Sequence, residues 1–288
     1  MLDERRKIEE IIAIYRLEPD LRGLIAEGWE DRKIFNWFLK KCGRDDITVY
    51  LIDVIDVPDE LIEKYNLNTG SNRSRVIAVS FQVEEVFQKN KNILCIADKD
   101  YDVHLSVSWN HPTLIFTDYN CLESYLVCYE LIDKFFSLVC TNFFLNPSEF
   151  LEKINSILKS LYIIRLTNEK LKWGMKWIQN LSRYFQIKGK EIIFEEERYI
   201  NAYLNKNSRM GDKKVFLDVL ENYRNLLCED IRLCMRGHDF TEFFFLLHNT
   251  SKSKPKFNNH DAFVASLWGC IELSMIENEG LFKKLLKF

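Results

Sequence analysis

Acidic side chains directly follow two short apolar runs of this 288-residue chain. Glu27 comes after Leu21–Ala26. Asp98 comes after Ile93–Ala97, and Asp100 stands two residues later. Such runs predict buried strands, and the helical patterns between them predict a parallel sheet. Because functional groups gather beyond the carboxyl ends of parallel strands, we expect these carboxylates to lie close together.

Crowded carboxylates repel one another, so a fold tolerates them best with a compensating cation. Mg²⁺ prefers a few carboxylates together with water and substrate phosphate. Asp31, in the first turn after Glu27, and Glu123, just after a later strand, are further candidates. The acidic set therefore predicts a Mg²⁺ (or Mn²⁺) site suited to phosphodiester hydrolysis or a related phosphoryl transfer. Taken singly, Asp31, Asp102 and Glu123 are more typical of solvated or helix-capping residues than of catalytic ones.

The elements that position these residues follow from hydrophobic periodicity. Four strands are predicted, at Leu21–Ala26, Thr48–Val54, Ile93–Ala97 and Thr113–Phe116. Helices are predicted at Asp3–Tyr15, Asp31–Lys41 and Arg73–Lys89, and in the second half at Cys128–Cys140, Pro147–Lys159, Glu169–Phe185, Lys214–Cys228, Phe240–His248 and Ala262–Ile276. The predicted fold class is α/β: a mostly parallel sheet flanked by helices in residues 1–125, then an all-helical domain in residues 126–288 for dimerisation, partner binding or substrate binding.

Composition narrows the class of protein. Hydrophobic residues make up 47% of the chain, enough for a packed core, and the net charge of −3 argues against binding nucleic acid through overall charge. The eight cysteines show no metal-binding spacing, and they predict free thiols in a reducing cytoplasm. No apolar stretch approaches the roughly 20 residues of a membrane span.

Basic side chains offer candidate contacts to substrate phosphates. Lys252, Lys254 and Lys256 stand together in a predicted loop, and Lys99 lies between the two aspartates of the DxD sequence. The alternative for each is a solvated, solubilising charge. His238 could bring an imidazole to the acidic site, although the preferred interpretation of this segment is that Asp239 is a helix N-cap.

The two acidic segments resemble the motifs of a known family. LIAEGWED (24–31) resembles the first motif of Toprim domains, and ILCIADKDYD (93–102) resembles the second. TDYNCLESYL (117–126) and RGHDF (236–240) are similar to a divergent, OLD-like branch with a helical C-terminal half, which includes the AriB-like effectors of the PARIS anti-phage system.

This resemblance implies roles for individual residues. Glu27 would be the first metal ligand, Asp98 and Asp100 the DxD ligands, and Asp31 and Glu123 supporting ligands. The chain lacks the glycine that commonly follows the DxD of Toprim domains, which leaves the role of Asp102 open.

The resemblance also implies an activity and partners. It implies a cytoplasmic endonuclease that cleaves host tRNA, is active as a homodimer, and is released from an ABC-type (AriA-like) ATPase. The sequence GxxxxGK[ST] is absent from the chain, so the ATPase would be a separate subunit. Two alternatives remain open at this point: an OLD-type DNA nuclease, and a non-catalytic Toprim subunit that only binds.

Overall fold

The computed structural model describes residues 5–87, 92–225, 230–251 and 253–288. The chain forms two compact units. The first comprises Met1–Asp118 together with Ile276–Phe288, and the second comprises Tyr119–Met275. The boundary therefore lies earlier than the predicted 125/126 division, and the C-terminal segment belongs to the first unit.

The first unit is built on a four-stranded parallel sheet. Two-residue strands β1 (Arg6–Lys7) and β4 (Ile55–Asp56) form a separate parallel pair. The main strands are β2 (Arg22–Ala26), β3 (Ile47–Leu51), β5 (Ile93–Ala97) and β6 (Leu114–Phe116), in the spatial order β3-β2-β5-β6. The predicted parallel sheet flanked by helices is therefore confirmed, with the predicted second strand ending earlier, in a 3₁₀ turn at Ile52–Val54.

Helices surround this sheet. They are α1 (Ile8–Leu17), α2 (Trp29–Lys41), α3 (Asp59–Lys64), α4 (Asn72–Phe87), α5 (Asp102–Leu105) and, from the C-terminal segment, α13 (Gly280–Lys287). All five residues of β5 are buried, as expected for a central strand covered on both faces. Phe282 of α13 packs on α2, with its ring centroid 4.8 Å from that of Phe38. This contact explains why the C-terminal segment belongs with the sheet.

The second unit is mainly helical. Its helices are α6 (Tyr129–Leu138), α7 (Pro147–Leu171), α8 (Glu196–Lys206), α9 (Lys213–Arg224), α10 (Gly237–Thr250) and α11 (His260–Gly269), and α12 (Leu273–Ile276) ends at its border. An antiparallel hairpin of β7 (Phe185–Lys188) and β8 (Glu191–Phe194) lies between α7 and α8. The predicted all-helical second half is therefore not confirmed.

The helix predicted at Glu169–Phe185 is wrong. Asn146 caps α7 and Pro147 opens it, as predicted, but the helix continues to Leu171. Lys172 then adopts a left-handed conformation with φ 53°, which ends the helix. The segment that follows is held instead by side chains: Asn168 Oδ1 accepts a hydrogen bond from the Met175 N–H at 3.0 Å.

Two further predictions concern the chain as a whole. Within the described residues, no helix is both long and apolar enough to cross a lipid bilayer. Seven cysteines have free thiols, five of them buried, while Cys228 lies outside the described residues.

Candidate functional site

The carboxyl edge of the sheet brings the two acidic segments together. Strands β2 and β5 are direct neighbours, with Ile25 opposite Cys95. Both strands end at the same edge, so Glu27 and Asp98 follow them side by side. Glu27 Oε1 accepts a hydrogen bond from the Asp98 N–H at 2.7 Å. The predicted convergence of the two segments is therefore observed for these two residues.

Glu27 lies in an environment that disfavours its ionised form. The pKa of Glu27 is raised to about 8, mainly by burial, and the charges of Asp100 and Asp31 contribute in the same direction. The Asp98 N–H bond and the positive charge of Arg73 act in the opposite direction. Since burial outweighs these contributions, a large fraction of Glu27 is protonated at neutral pH. A cation bound beside it would favour the carboxylate.

Asp100 occupies an unusual backbone conformation in the loop after β5. Its φ is 50°, in the left-handed region where Asp and Asn are enriched among non-glycine residues. Asp100 thus adopts, without a glycine, the kind of turn conformation that glycine favours. Its Oδ2 lies 3.6 Å from Nε of Arg73. The absence of a glycine after the DxD sequence does not prevent the chain from turning here.

Arg73, near the start of α4, holds this loop in place. Its Nε donates to the Asp98 carbonyl oxygen at 2.7 Å, and its Nη2 pairs with Asp102 Oδ2. The Arg73 side chain is 15% exposed, so these charge-assisted bonds lie in a partly desolvated position. In the sequence, nothing distinguishes Arg73 from the other basic residues of the chain. A basic residue at the start of a helix shows no local pattern that would predict contact with a loop some thirty residues away.

The Asp102 carboxylate is bonded to other side chains and is not free to bind a ligand without losing them. Besides Arg73, it accepts a hydrogen bond from Trp109 Nε1 at 2.7 Å. Burial raises the pKa of Asp102, with Arg73 and Trp109 opposing the shift. Its contacts fix the path of the chain immediately after the DxD sequence, which gives the residue a positioning role.

Asp31 closes the first turn of α2. Its Oδ2 accepts a hydrogen bond from the Gly28 N–H at 2.7 Å, so this carboxylate binds an otherwise unpaired donor at the helix start. A Cβ at Gly28 would lie 3.3 Å from the same oxygen, which makes glycine the best fit there. Asp31 therefore acts as a helix cap, and its charge also acts on Glu27.

Lys99 points its ammonium at the backbone. Lys99 Nζ donates to the Asp118 carbonyl oxygen at 2.5 Å, and burial lowers its pKa. Its own N–H donates to Thr117 Oγ1 at 3.2 Å. The side chain thus links the ends of β5 and β6, and contact with a substrate phosphate would require it to leave this carbonyl.

Glu123 and His238 lie in the second unit. A Cβ on Gly237 would come within 2.1 Å of Glu123 Oε2, so the Glu123 side chain packs directly on this glycine. His238 Nε2 lies 3.1 Å from Glu242 Oε1, and this bond raises the pKa of His238, helped by the charge of Glu123. The structure therefore groups Glu123 with His238 and Glu242 at the start of α10.

Asp239 is not a helix N-cap, contrary to the sequence interpretation. Helix α10 begins at Gly237, which places Asp239 in its first turn. The carboxylate is 1% exposed and makes two bonds to Arg165, at 2.6 and 2.7 Å. Arg165 also lies over the Trp177 ring, 3.5 Å from its centroid. Asp239 is thus half of a buried ion pair between α10 and α7.

The basic loop is described only in part. Lys252 lies outside the described residues. Lys254 is exposed, and its backbone pairs with Thr141 in an isolated bridge. Lys256 Nζ donates to the carbonyls of His248 and Asn249 at the end of α10, at 3.0 and 2.9 Å. Such a cation stabilises a helix C-terminus, so this bonding alone accounts for Lys256. Binding of substrate by these lysines stays a prediction.

The side chains of the acidic edge are carboxylates, which are the ligand type that a hard cation prefers, but they do not surround a single point. Within the described ranges, no group of three or more His, Cys, Asp or Glu side chains is arranged to hold a metal ion. Asp31 and Asp100 are nevertheless close enough to Glu27 to raise its pKa. Mg²⁺ commonly binds through one or two carboxylates and completes its shell with water and phosphate. This edge can offer that kind of site.

Comparisons with known proteins leave the family open. The chain matches no protein-family model. No curated protein is significantly similar to it. The fold and the acidic edge define the class only as a mixed α/β protein with a parallel sheet and a cluster of carboxylates at its carboxyl edge.

Proposed function

We propose that this chain is a Mg²⁺-dependent nuclease of the Toprim type. One observation carries the proposal: Glu27 and the Asp98–Asp100 loop meet at the carboxyl edge of two neighbouring parallel strands, and the pKa of Glu27 is raised to about 8 there. Carboxyl groups with strongly shifted pKa values are concentrated at functional sites, because catalysis and metal binding place charged groups in environments that packing alone would not select.

The roles of the residues follow from their contacts. Glu27 and Asp100 are the primary ligands, and Asp98 completes the DxD pair. Mg²⁺, when bound, would neutralise charge on a phosphoryl group and favour ionisation of water. Glu27 would hold its proton until the cation site is filled, because its ionised form is disfavoured without a nearby positive charge. Arg73 would keep the loop in position through the Asp98 carbonyl and Asp102.

The resemblance to AriB-like effectors extends this proposal to substrate and partners. It makes host tRNA the substrate class, an ABC-type ATPase the separate partner subunit, and a homodimer the active form in the cytoplasm. These points rest on the short motifs around Glu27, Asp98 and Arg236–Phe240.

A second candidate function is a Toprim-like subunit that binds without catalysis. The bonding of the acidic edge favours it: Glu27 is bonded to Asp98, Asp31 to Gly28, and Asp102 to Arg73 and Trp109. A site whose carboxylates are engaged in this way is stable without a metal ion.

A cleavage assay separates the two candidates. The purified chain is incubated with total tRNA, a single-stranded DNA and a supercoiled plasmid, each with Mg²⁺ and with excess EDTA. We expect Mg²⁺-dependent cleavage by the wild type that Glu27→Gln and Asp100→Asn abolish. Glu18→Gln is the matched control, because Glu18 is an exposed carboxylate before β2. Absence of cleavage of all three substrates, or full activity of Glu27→Gln, would contradict the nuclease.

A further inference from the structure

Helix α2, which begins directly after the acidic edge, presents an exposed tryptophan in its first turn. Trp29 is 57% exposed, whereas Trp268 of the second unit is only 7% exposed. A large aromatic side chain in water gives up the free energy that burial would supply. Packing within the first unit therefore does not account for a tryptophan at this position.

Two cations lie beside the Trp29 ring. Arg32 and Lys33 follow at the spacings that place side chains on one face of a helix. The Arg32 Cζ and the Lys33 Nζ are each 5.6 Å from the ring centroid. Lys33 also pairs with Glu30 at 2.9 Å. No ion pair joins Arg32 to any residue in the described part of the chain. An open ring with a positive charge that no carboxylate neutralises is suited to a flat, anionic ligand.

A cavity continues from this face along the edge of the sheet. It measures about 400 Å³ and is lined by Arg32, Arg6, Val54 and strand residues Thr48–Leu51. Small-ligand pockets range over about 300–1,000 Å³, so it is large enough for one nucleotide unit. No carboxylate is among its lining residues, and its two charged side chains, Arg6 and Arg32, are both positive. Arg32 belongs both to the cavity and to the cations around Trp29.

We propose that Trp29, Arg32 and Arg6 form a binding surface for single-stranded nucleic acid, with one base stacked on Trp29 and the adjoining phosphates on the two arginines. Aromatic rings that stack bases and cations that follow the backbone are the usual means of binding unpaired strands. A duplex keeps its bases stacked on one another and cannot use the ring in this way. The surface selects unpaired segments, such as loops and single-stranded ends.

This binding surface rests on the proposed nuclease function, for which it would hold the substrate. Trp29 stands two residues after Glu27. A strand held at the start of α2 is held beside the acidic edge. The surface explains how a chain with a net charge of −3 retains nucleic acid through a local basic face.

Binding can be measured without cleavage, which separates the two claims. The full-length Glu27→Gln chain is titrated into a fluorescein-labelled 12-nucleotide RNA and into the same strand in a duplex, in EDTA, and anisotropy is followed. We expect the single strand to bind at least 10-fold more tightly than the duplex. Adding Trp29→Ala should weaken single-strand binding by about 5-fold or more, since stacking of one base contributes roughly 1–3 kcal/mol. Trp29→Phe should retain most of the affinity.

The charge contribution has its own readout. Arg32→Gln should lower the slope of log affinity against log salt by about 0.7, the value for one phosphate contact on a single strand. Lys41→Gln removes the same charge from the far end of α2, where Lys41 is exposed, and serves as the matched control. Equal binding by Trp29→Ala and its parent, or duplex binding as tight as single-strand binding, would overturn the proposal. So would a mass increase at higher concentration that Trp29→Ala abolishes while RNA binding stays unchanged, because the ring would then contact a second copy. None of these outcomes would decide whether the chain is a nuclease, because Mg²⁺-dependent cleavage is measured in a separate assay.

Discussion

Glu27 is subject to two opposing requirements at the scale of the single residue. Its position beside Asp98 gives it a backbone hydrogen bond, while burial and the neighbouring carboxylates disfavour its charge. A residue selected only for stability would avoid this conflict. The cost is understandable if the ionised form is needed when a cation is bound.

The stability of the protein should therefore depend on the ionisation of Glu27. Its pKa in the fold is about 8 against an ordinary 4.5, so the stability it contributes is complete below about pH 4.5 and is lost as the pH rises through 8. Glu27→Gln cannot ionise and keeps an oxygen for the Asp98 N–H. Urea unfolding should show the variant more stable than wild type by roughly 4–5 kcal/mol at about pH 9, and not at about pH 4. Identical pH profiles for Glu27→Gln and wild type would contradict this, and Glu18→Gln is the control.

Arg73 and Asp102 form the second residue-scale feature, a partly buried ion pair that fixes the DxD loop. Removing either partner takes a charge-assisted bond from a largely desolvated group, although Asp102 keeps its bond from Trp109 and Arg73 keeps its bond to the Asp98 carbonyl. We expect Arg73→Gln and Asp102→Asn each to lower the free energy of unfolding by about 2 kcal/mol, and the double variant to lose less than the sum. A double-mutant cycle with a coupling energy near zero would show that the pair does not hold the loop.

At the scale of the element, a buried ion pair joins α7 and α10, beside the packing of Phe150 on Phe244. Asp239 is almost fully buried, and its bidentate partner Arg165 stacks on Trp177. Each partner makes its shortest charged contacts with the other, so losing one leaves a buried charge without its main compensation.

Asp239→Ala should therefore be strongly destabilising. We expect a loss of about 3–5 kcal/mol in the free energy of unfolding, seen as a lower urea midpoint. Asp218→Ala in α9 is the control, because Asp218 is exposed and its loss should change stability by less than about 0.5 kcal/mol. A loss below about 1 kcal/mol for Asp239→Ala would mean that the buried pair contributes little.

The elements also show where sequence patterns were sufficient. The continuous apolar run of β5 predicted its bounds, because a strand buried on both faces has no polar positions. The contact between Glu27 and Asp98 followed from the rule that the carboxyl ends of parallel strands meet at one edge. Local pattern and topology together are enough for this part of the site.

Other elements depend on information that local patterns do not carry. The spacing of Trp173 and Trp177 resembles a helical face, but Trp177 packs on Tyr199 and Tyr203 from an irregular segment after α7. The β7–β8 hairpin does have a local signal: Gly189 begins a two-residue turn at φ 63°, and Phe185 and Phe194 stack across the strand pair. The contacts of Arg73 with the DxD loop are long-range and leave no periodic pattern.

At the scale of the whole molecule, both proposed binding sites belong to one of the two units. The acidic edge and the Trp29 surface belong to the sheet unit, and the Glu123–His238 group belongs to the helical unit. The C-terminal helix is part of the sheet unit through Phe282 and through the Leu281 N–H, which donates to Asp118 Oδ2 at 2.9 Å. Long-range packing of this kind decides to which unit a segment belongs. Local sequence patterns do not show it, so the predicted boundary differs from the observed one.

A free nuclease in a cell requires restraint, which leads to a prediction about a partner. The sequence contains no P-loop, and the resemblance to AriB-like effectors implies a separate ATPase. Cells that carry the chain with its genomic neighbours should resist phage, and deletion of the neighbouring ATPase gene should abolish protection. Protection that persists without the ATPase would contradict the restrained effector and leave a stand-alone nuclease.

The central claim is that Glu27 and the DxD loop bind a divalent cation, and calorimetric titration with Mn²⁺ tests it most directly. Because only ionised Glu27 can act as a ligand and its pKa is about 8, affinity should rise by about 25-fold between about pH 6.5 and about pH 8.5, with proton release at the lower pH. Glu27→Gln should bind at least 10-fold more weakly at the higher pH, whereas Glu18→Gln should match wild type. Equal affinity of Glu27→Gln and wild type at both pH values would contradict a metal site at this edge of the sheet.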